Sequence, residues 1–474
     1  MRKIAAAVVC FCACSNAAFA ESRSGGKFWP QWRGPHATGV AKKSKPPTEW
    51  SETKNVRWKV AIPGQGHATP IVWGDRVYVQ TAVKTEKRLK PKGDAPAQLF
   101  GNDSGRDQSA DIFASGYLQP EERRRRGGRG RRGRRRRPKP TQVHKFSVLA
   151  LNRLDGKVVW EKSVCEELPH ESLHPDSTQA SNSPVTDGKH LYAYFGSRGL
   201  YCLDMDGNLK WKKNFGKMRT RNSFGEGSSP VLFGDAIVVN WDHEDDSFIV
   251  ALHKKTGEQL WKVNRDEPTS WSTPIVVEHE GKPQVVTAST GYVRSYDLKS
   301  GDVLWRCGGL TSNVISTPVS DFGMIFAMSG RRGDALLAIR YPGATGDITD
   351  SKAVVWQHDK DTSYVPSPLL YDDTLYFLKR SNAILSCFNA KTGKKYYAQQ
   401  RLEGVDGVYA SPVGADGRVY IAGRNGTTVV IKRGPEFEVL ATNFLDDGFD
   451  ASPAIAGNEL YLRGRRHLYC IATN

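Results

Sequence analysis

The 474-residue sequence is poor in cysteine and has no long apolar run. Its one sustained apolar stretch, residues 4–13, is far shorter than the roughly 20 residues that a membrane-spanning helix needs. Three of the eight cysteines lie in the first 14 residues, and the other five are Cys165, Cys202, Cys307, Cys387 and Cys470. An odd number cannot pair completely. The sequence therefore argues against a helical membrane protein and against a disulfide-held scaffold.

Several catalytic signatures are also missing. After residue 20 the chain has no adjacent cysteine pair and no Cys-x-x-Cys-His, and nowhere does it contain Gly-x-Ser-x-Gly or a phosphate loop. These spacings bring together the nucleophiles, metal ligands and backbone donors of common enzyme classes. Serine-hydrolase, phosphate-loop and haem-protein functions therefore have no support in the sequence.

The N-terminus has the features of a secretory signal. Two basic residues precede the apolar stretch, and Ala18 and Ala20 form a small-residue cleavage site. We predict a signal peptide over residues 1–20 and export to the periplasm or the extracellular space. A lipid anchor at Cys14 is the less favoured alternative, because Phe11 stands where lipoprotein signals usually carry an aliphatic residue.

A short repeat decides the predicted fold. A small residue, then Ser or Thr, then Pro recurs eight times, ending at Pro70, Pro184, Pro230, Pro274, Pro318, Pro368, Pro412 and Pro453. After a first gap of 114 residues, the spacings run from 41 to 50 residues. That period is typical of a four-stranded propeller blade.

Each unit continues with two hairpins. Gly-Asp turns at 74–75 and 234–235 join alternating apolar runs, and Ala251–Trp261 is the clearest copy of the second hairpin. An aromatic residue follows the turn glycine in five copies, where it can dock between blades. We predict this docking role for Trp58, Trp160, Trp211, Trp261, Trp305 and Tyr397. The units near Trp356 and Leu440 are degraded.

The eighth unit has only three strands, and residues 55–60 supply a fourth. Joining the two ends of the chain closes the ring and removes exposed sheet edges. We therefore predict an all-β, eight-bladed propeller over residues 55–474. A leader over residues 21–54 precedes it, and we expect a monomer.

The recurring pattern Ala-x-Asp-x-x-Thr-Gly-x-x-x-Trp resembles the tryptophan-docking repeat of quinoprotein (PQQ-type) propellers and of the BamB family of outer-membrane assembly lipoproteins. The likeness covers about residues 55–474, and the leader segment 29–35 looks like that of PQQ-like propellers from planctomycete-type bacteria. The resemblance implies the fold. It leaves function open, because one repeat serves both dehydrogenases and scaffolds.

The long first gap predicts an insertion in blade one over residues 84–144, which we expect to be disordered. Much of the net charge of +18 lies there, because residues 121–140 hold eleven Arg and one Lys against two Glu. Two interpretations stay open, a polyanion-binding arm and a solvated insertion without a ligand. Residues 121–140 contain no aromatic side chain for base stacking, and genomic nucleic acid is not an expected partner of an exported chain.

The loops between the second and third strands of the blades carry many cations on one face. The candidate anion-binding residues are Arg198, Arg331, Arg332, Lys379, Arg380, Arg424 and Arg465, and His67, Trp271 and Tyr409 precede the repeat prolines at the same rim, as do Tyr364 and Asp450. This pattern predicts a positive mouth for a carboxylate or phosphate ligand. Alternatively, the cations tie neighbouring blades together.

Two further groups have structural and functional interpretations. Asp242, Glu244 and Asp246 form a weak candidate for Ca²⁺, although their spacing matches no closed calcium loop and an acidic surface turn is the commoner meaning. The five cysteines lie in different blades or at positions held elsewhere by alanine, so we expect free thiols that act as small apolar fillers.

These observations favour an exported, non-catalytic binding or scaffold propeller of the cell envelope, with envelope proteins or anionic ligands as partners. A PQQ-dependent dehydrogenase is one alternative, since an Arg-rich mouth suits a tricarboxylate such as PQQ. A polyanion-binding surface protein is the other.

Overall fold

The structure, a computed structural model, describes residues 27–89 and 138–473. The predicted signal peptide, Cys14, the first residues of the leader and residues 90–137 of the predicted insertion lie outside the described residues. The regular secondary structure of the described part is almost entirely strand, with two short 3₁₀ helices at Gly196–Arg198 and Arg221–Ser223. It contains no helix that is long and apolar enough to cross a membrane.

The described strands form eight blades, which confirms the predicted all-β propeller. In chain order they are β1 (Val56–Ala61); β2 (Ile71–Trp73), β3 (Arg76–Arg88), β4 (Gln142–Asn152) and β5 (Val158–Glu167) of blade one; β6 (Val185–Thr186), β7 (His190–Tyr194), β8 (Leu200–Asp204) and β9 (Leu209–Lys213) of blade two; β10 (Val231–Phe233), β11 (Ala236–Trp241), β12 (Ser247–His253) and β13 (Gln259–Arg265) of blade three; and β14 (Ile275–His279), β15 (Lys282–Ala288), β16 (Val293–Asp297) and β17 (Val303–Cys307) of blade four.

The second half of the ring follows the same order. Its strands are β18 (Val319–Asp321), β19 (Met324–Ser329), β20 (Ala335–Arg340), the short β21 (Gly346–Asp347) and β22 (Val354–His358) around blade five; β23 (Leu369–Tyr371), β24 (Thr374–Leu378), β25 (Ile384–Asn389) and β26 (Lys395–Arg401) of blade six; β27 (Val413–Ala415), β28 (Arg418–Ala422), β29 (Thr427–Lys432) and β30 (Val439–Phe444) of blade seven; and β31 (Ala454–Ala456), β32 (Glu459–Arg463) and β33 (His467–Ile471) of blade eight. β21 pairs in parallel with β17, so blade four has a fifth strand.

The N-terminal strand completes the last blade, as the sequence predicts. β1 pairs antiparallel with β33, and Trp58 lies opposite Cys470 in the register. Outside the hairpin tip of blade one, the second and third strands of the blades are mostly buried, whereas the fourth strands are mostly exposed or half-buried. The apolar core therefore lies between the blades, where facing sheets pack together.

The predicted edges of the insertion are wrong. β3 extends to Arg88 and β4 begins at Gln142, and the two strands pair through Lys84 with His144 and through Arg88 with Gln142. Residues 84–88 and 142–144 therefore belong to a long hairpin of blade one. The polar character of these residues hid the strand: Lys84 and residues 86–88 are exposed, and Val143 is the one buried side chain of the tip, so no apolar alternation is visible.

Docked tryptophans hold the outer part of the ring together. The Trp261 indole N–H donates to the carbonyl of Leu298 in the next blade at 2.8 Å, and the ring lies on Gly301, where a Cβ would come within 2.8 Å of it. Gly301 also has a φ of +83°, which disfavours other residues. The same contact joins Trp58 to Gly156, Trp160 to Gly207 and Trp211 to Gly257.

The other predicted docking residues depart from this pattern. Trp305 is fully buried, but its indole N–H donates to Gln284 of its own blade at 3.2 Å. Tyr397 packs edge-on against Phe437. Trp356, in a unit whose repeat is degraded, instead makes the regular contact, with its indole N–H on the Ala390 carbonyl at 2.9 Å and its ring on Gly393.

A belt of hydroxyl groups holds the inner part of the ring. The Ser or Thr before each of the first seven repeat prolines donates its backbone N–H to the side-chain oxygen of its counterpart in the next blade. The seven bonds, each 2.8 or 2.9 Å long, run through Thr69, Ser183, Ser229, Thr273, Thr317, Ser367, Ser411 and Ser452. The Ser or Thr of the repeat is therefore the residue that links each blade to the next at the inner part of the ring.

The leader lies across the central channel. Trp29 exchanges two backbone hydrogen bonds with Val72 of blade one, and the Trp32 indole N–H donates to Ser452 of blade eight at 3.3 Å. The buried Arg33 guanidinium donates to the carbonyls of Pro368 and Pro412, which precede the first strands of blades six and seven. Burial lowers the pKa of Arg33 to about 9. The leader thus closes one end of the channel.

All five described cysteines are free thiols. Cys202, Cys307, Cys387 and Cys470 are buried, and burial raises the pKa of Cys307 to about 11 and of the other three to about 12. A thiol with a raised pKa has little of the thiolate form that reacts. These side chains therefore act as small apolar groups in the core.

Candidate functional site

The closed channel leaves a cavity of about 300 Å³ on the face of the linkers between blades. Trp32 of the leader forms part of its lining, and the belt residues Ser183, Ser229, Thr273, Ser411 and Ser452 face it. Linker residues line the rest: His67, His174, Asp176, Ser177, Ser181, Phe224, Glu226, Gly227, Trp271, Ile315, Tyr364, Val365, Tyr409 and Asp450, together with Arg331 from blade five. The cavity therefore joins repeated hydroxyls to unrepeated aromatic and charged groups.

Asp450 is the most heavily paired carboxylate of the cavity. One of its oxygens accepts a hydrogen bond from Arg424 Nε at 2.6 Å, and the other accepts one from Arg465 Nε at 2.9 Å. His67 Nε2 lies 3.6 Å from the second oxygen. Burial lowers the pKa of His67 below its ordinary value, against the opposing pull of Asp450. The imidazole is therefore neutral at pH 7.

Asp176 is tied to the same arginine. It accepts a hydrogen bond from Arg424 Nη2 at 2.7 Å, and the Tyr409 hydroxyl lies 3.3 Å from its other oxygen. The hydrogen bond from Arg424 holds the pKa of Asp176 below its usual range. The Arg424 guanidinium also lies 3.9 Å from the centre of the Tyr409 ring. Arg424 of blade seven thus reaches a linker that joins blades one and two.

Glu226 is the third cavity carboxylate, and it is equally engaged. It accepts the backbone N–H of Ser197 at 2.7 Å and the Ser197 hydroxyl at 2.6 Å, and Arg198 Nη1 lies 3.3 Å away. Arg198 is buried and also pairs with Glu167 at 3.2 Å. This arginine fastens the linker of Glu226 to blade two and does not line the cavity.

Arg331 is the one cavity-lining arginine, and it pairs with no carboxylate of the described residues. Its guanidinium lies 5.5 Å from the centres of both the Phe224 and Tyr364 rings, and Nη1 is 3.4 Å from the Tyr364 hydroxyl. Because Phe224 belongs to the linker between blades two and three, Arg331 of blade five reaches across the mouth. A positive charge between two ring faces is held by cation–π attraction.

The predicted site residues divide into two groups. Arg331, His67, Trp271 and Tyr409 line the cavity, as do Tyr364 and Asp450. The others that were expected to form a positive mouth lie outside its lining: Arg198, Arg332, Lys379, Arg380, Arg424 and Arg465. Four of these six pair with carboxylates, Lys379 with Asp361 at 2.8 Å.

The mouth therefore differs from the strongly positive one expected from the sequence. Arg198, Arg424 and Arg465 act as ties, which is the second interpretation of the cation pattern. Arg332 and Arg380 are exposed and lie away from the cavity. Asp176 and Glu226 carry the compensating charge, and sequence reasoning missed both, because the linkers that hold them lie outside the repeat. Trp32 and Phe224 were missed for the same reason.

The candidate calcium residues do not converge. Asp242 is buried and accepts hydrogen bonds from Arg265 at 2.7 and 3.0 Å, while Glu244 accepts the Thr269 hydroxyl at 2.8 Å. No group of three His, Cys, Asp or Glu side chains in the described part of the chain is placed to hold a metal ion. Asp242 is instead the centre of a buried polar network between blades three and four.

The cavity does not fit PQQ, the cofactor that the quinoprotein resemblance implies. A tricarboxylate needs several unpaired cations. Among the described residues that line the cavity, Arg331 is the one unpaired arginine. The three cavity carboxylates, Asp176, Glu226 and Asp450, already occupy the neighbouring arginines, so these arginines are not free for the carboxylates of PQQ. The residues of this cavity therefore support no step of a quinone mechanism.

Comparison with known proteins agrees with the repeat. The family model described as outer membrane protein assembly factor BamB matches residues 144–399, which is more than half of the chain. The chain belongs to the BamB family. BamB of Escherichia coli strain K12 is 26% identical over 337 residues, which cover 60% of this chain and 80% of that relative.

Dehydrogenases share shorter stretches or the fold alone. Subunit 1 of methanol dehydrogenase from Methylobacterium organophilum is 28% identical over 172 residues, 31% of this chain and 26% of that protein. The crystal structure of quinohemoprotein alcohol dehydrogenase from Comamonas testosteroni superposes with a TM-score of 0.59 at 9% identity, covering 97% of this chain and 84% of the other. That likeness shows a common propeller and does not bear on activity.

Proposed function

We propose that this chain is an exported, non-catalytic binding protein of the cell envelope, which holds envelope proteins together as a scaffold. Two findings support the envelope role. The chain belongs to the BamB family, and its BamB relatives are named as outer membrane protein assembly factors. The observation that carries the non-catalytic part is the pairing of all three carboxylates that line the cavity, Asp176, Glu226 and Asp450.

An acid or base catalyst must reach the reacting atom with a free oxygen or nitrogen. Both oxygens of Asp450 already accept hydrogen bonds from arginines, and the Glu226 oxygens accept two bonds from Ser197. Asp176 is held by Arg424 and Tyr409. The carboxylates of the cavity therefore build its walls. This arrangement suits recognition of a ligand or partner more than turnover of a substrate.

The two other functions receive less support. A PQQ-dependent dehydrogenase would need a cofactor site that the described cavity does not provide. Polyanion binding by residues 121–140 stays a prediction from their charge alone, since most of them lie outside the described residues. We therefore keep the scaffold as the conclusion and expect its partners on the face that carries the cavity.

Site-specific photocrosslinking in intact cells tests this proposal. A photoreactive phenylalanine analogue replaces Lys360 or Glu403, which are exposed in linkers beside the mouth, or Lys255 or Lys299, which are exposed in hairpin turns of the opposite face. We expect both mouth positions to link to the same membrane-fraction protein and the two control positions to give no such adduct. Adducts from the opposite face alone, or from none of the four positions, would refute the scaffold proposal.

A further inference from the structure

The cavity has one uncompensated charge, and it is positive. Each cavity carboxylate pairs with arginine: Asp176 with Arg424, and Glu226 with Arg198. Asp450 pairs with both Arg424 and Arg465. Arg331 pairs with none of the described carboxylates, and one hydrogen bond to the Tyr364 hydroxyl leaves most of its five N–H donors available. The forked donors of a free guanidinium match the oxygens of a carboxylate or a phosphate group.

The wall around Arg331 is aromatic. Phe224 and Tyr364 flank the guanidinium, and Trp271 lies 6.1 Å from Phe224, centre to centre. The Trp271 indole N–H is already engaged with the carbonyl of Gly225 at 2.6 Å, so this side chain offers mainly its ring to a ligand. Tyr409 and Trp32 also line the cavity, which therefore presents several flat aromatic surfaces. Such surfaces stack on planar aromatic groups.

Size and charge narrow the ligand further. A volume of about 300 Å³ lies at the small end of the usual range for ligand pockets, which excludes a folded segment of a partner protein. The belt hydroxyls of Ser229 and Thr273 each accept one backbone N–H and keep their own O–H to offer. A second carboxylate on the ligand would find no second unpaired cation among the described residues that line the cavity. The cavity therefore discriminates against multiply charged anions.

We infer that the cavity binds a small planar aromatic monocarboxylate, whose carboxylate accepts hydrogen bonds from Arg331 while its ring packs against the aromatic side chains of the lining, Trp271 and Tyr409 among them. The inference rests on the proposed function in one respect, that the cavity is a binding site and not a catalytic one. It adds the chemical class of the ligand, which neither the family nor the relatives' names provide.

Calorimetric titration of the mature chain with 2-naphthoate is the direct test, with tryptophan fluorescence as a second readout from Trp32 and Trp271. The neutral isostere 2-naphthalenemethanol and the dianion 2,6-naphthalenedicarboxylate serve as matched probes. We expect naphthoate to bind in a one-to-one ratio and to change the fluorescence. The neutral alcohol should bind at least about tenfold more weakly, which corresponds to the loss of one charge-assisted hydrogen bond. The dianion should also bind at least about tenfold more weakly, because its second carboxylate would be desolvated without a cationic partner.

Arg331→Gln supplies the decisive variant, and Arg332→Gln is its matched control, because Arg332 is the adjacent cation but is exposed and outside the cavity. Arg331→Gln should weaken naphthoate binding at least about tenfold with an unchanged circular dichroism spectrum, and Arg332→Gln should change it less than about twofold. No naphthoate binding, or equal binding by both variants, would overturn the inference while leaving the crosslinking result intact. Conversion of a bound probe by the chain would overturn the non-catalytic role itself.

Discussion

The inner belt and the mouth of the cavity lie within a few residues of each other along the linkers, yet they are built differently. In the belt one hydrogen bond, from backbone N–H to hydroxyl, recurs seven times from Thr69 to Ser452. In the mouth no contact recurs among the described residues: Arg424 reaches Asp176, and Arg331 reaches Phe224, each across several blades. The repeated contacts hold the ring, and the unrepeated ones shape a site. Specific function is to be sought where the repeat breaks.

The largest effect should come from removing a repeated contact of the outer ring. Trp261→Ala deletes a nearly buried side chain and its bond to Leu298, and large-to-small changes at such positions cost about 3 to 5 kcal/mol. Urea unfolding followed by circular dichroism measures the loss. Leu260→Ala is the control, since Leu260 is half exposed and should lose less than about 0.5 kcal/mol. Equal losses would contradict the docking role.

An intermediate effect should follow from breaking one bond of the belt. Ser229→Ala leaves the backbone N–H of Ser183 without its acceptor, and a buried donor left unsatisfied costs about 1 to 3 kcal/mol. The neighbouring Ser272 is also buried, but its hydroxyl has no hydrogen-bond partner among the described residues. The free energy of unfolding should therefore fall for Ser229→Ala and stay nearly unchanged for Ser272→Ala. The reverse order would contradict the belt.

The smallest predicted effect is a change in the pH dependence of the free energy of unfolding, and it concerns a residue of the mouth. Burial lowers the pKa of His67 in the native state below 6.5, the ordinary value that the unfolded chain keeps. The unfolded chain therefore binds more protons than the native chain as the pH falls through 6.5. Stability must then fall with falling pH. We expect His67→Gln to show a smaller loss of stability than the wild type between pH 7.5 and 5.5. At pH 8 the imidazole is neutral in both states, so the same variant isolates the packing change, and an unchanged pH slope would contradict the role of His67.

The sequence predicts the ring well because its strands, turns and docking tryptophans repeat, and the ring closure by β1 follows from counting strands. Two features escaped this reasoning. The function of the leader depends on Trp32 and Arg33, which contact blades that are hundreds of residues away in the chain. The partners of the mouth arginines, Asp176 and Glu226, sit in linkers of unrelated sequence, and local patterns do not reveal pairs that only the closed ring brings together.

The central claim, a binding propeller without quinone chemistry, is tested most directly by calorimetric titration of the mature chain with PQQ, with and without Ca²⁺, at two salt concentrations. Our account predicts no Ca²⁺-dependent heat of binding and no dye-linked oxidation of alcohols after mixing. Tight binding that requires Ca²⁺, is lost in Arg331→Gln and supports alcohol oxidation would contradict it, and would make this chain a dehydrogenase with a cavity that rearranges around its cofactor.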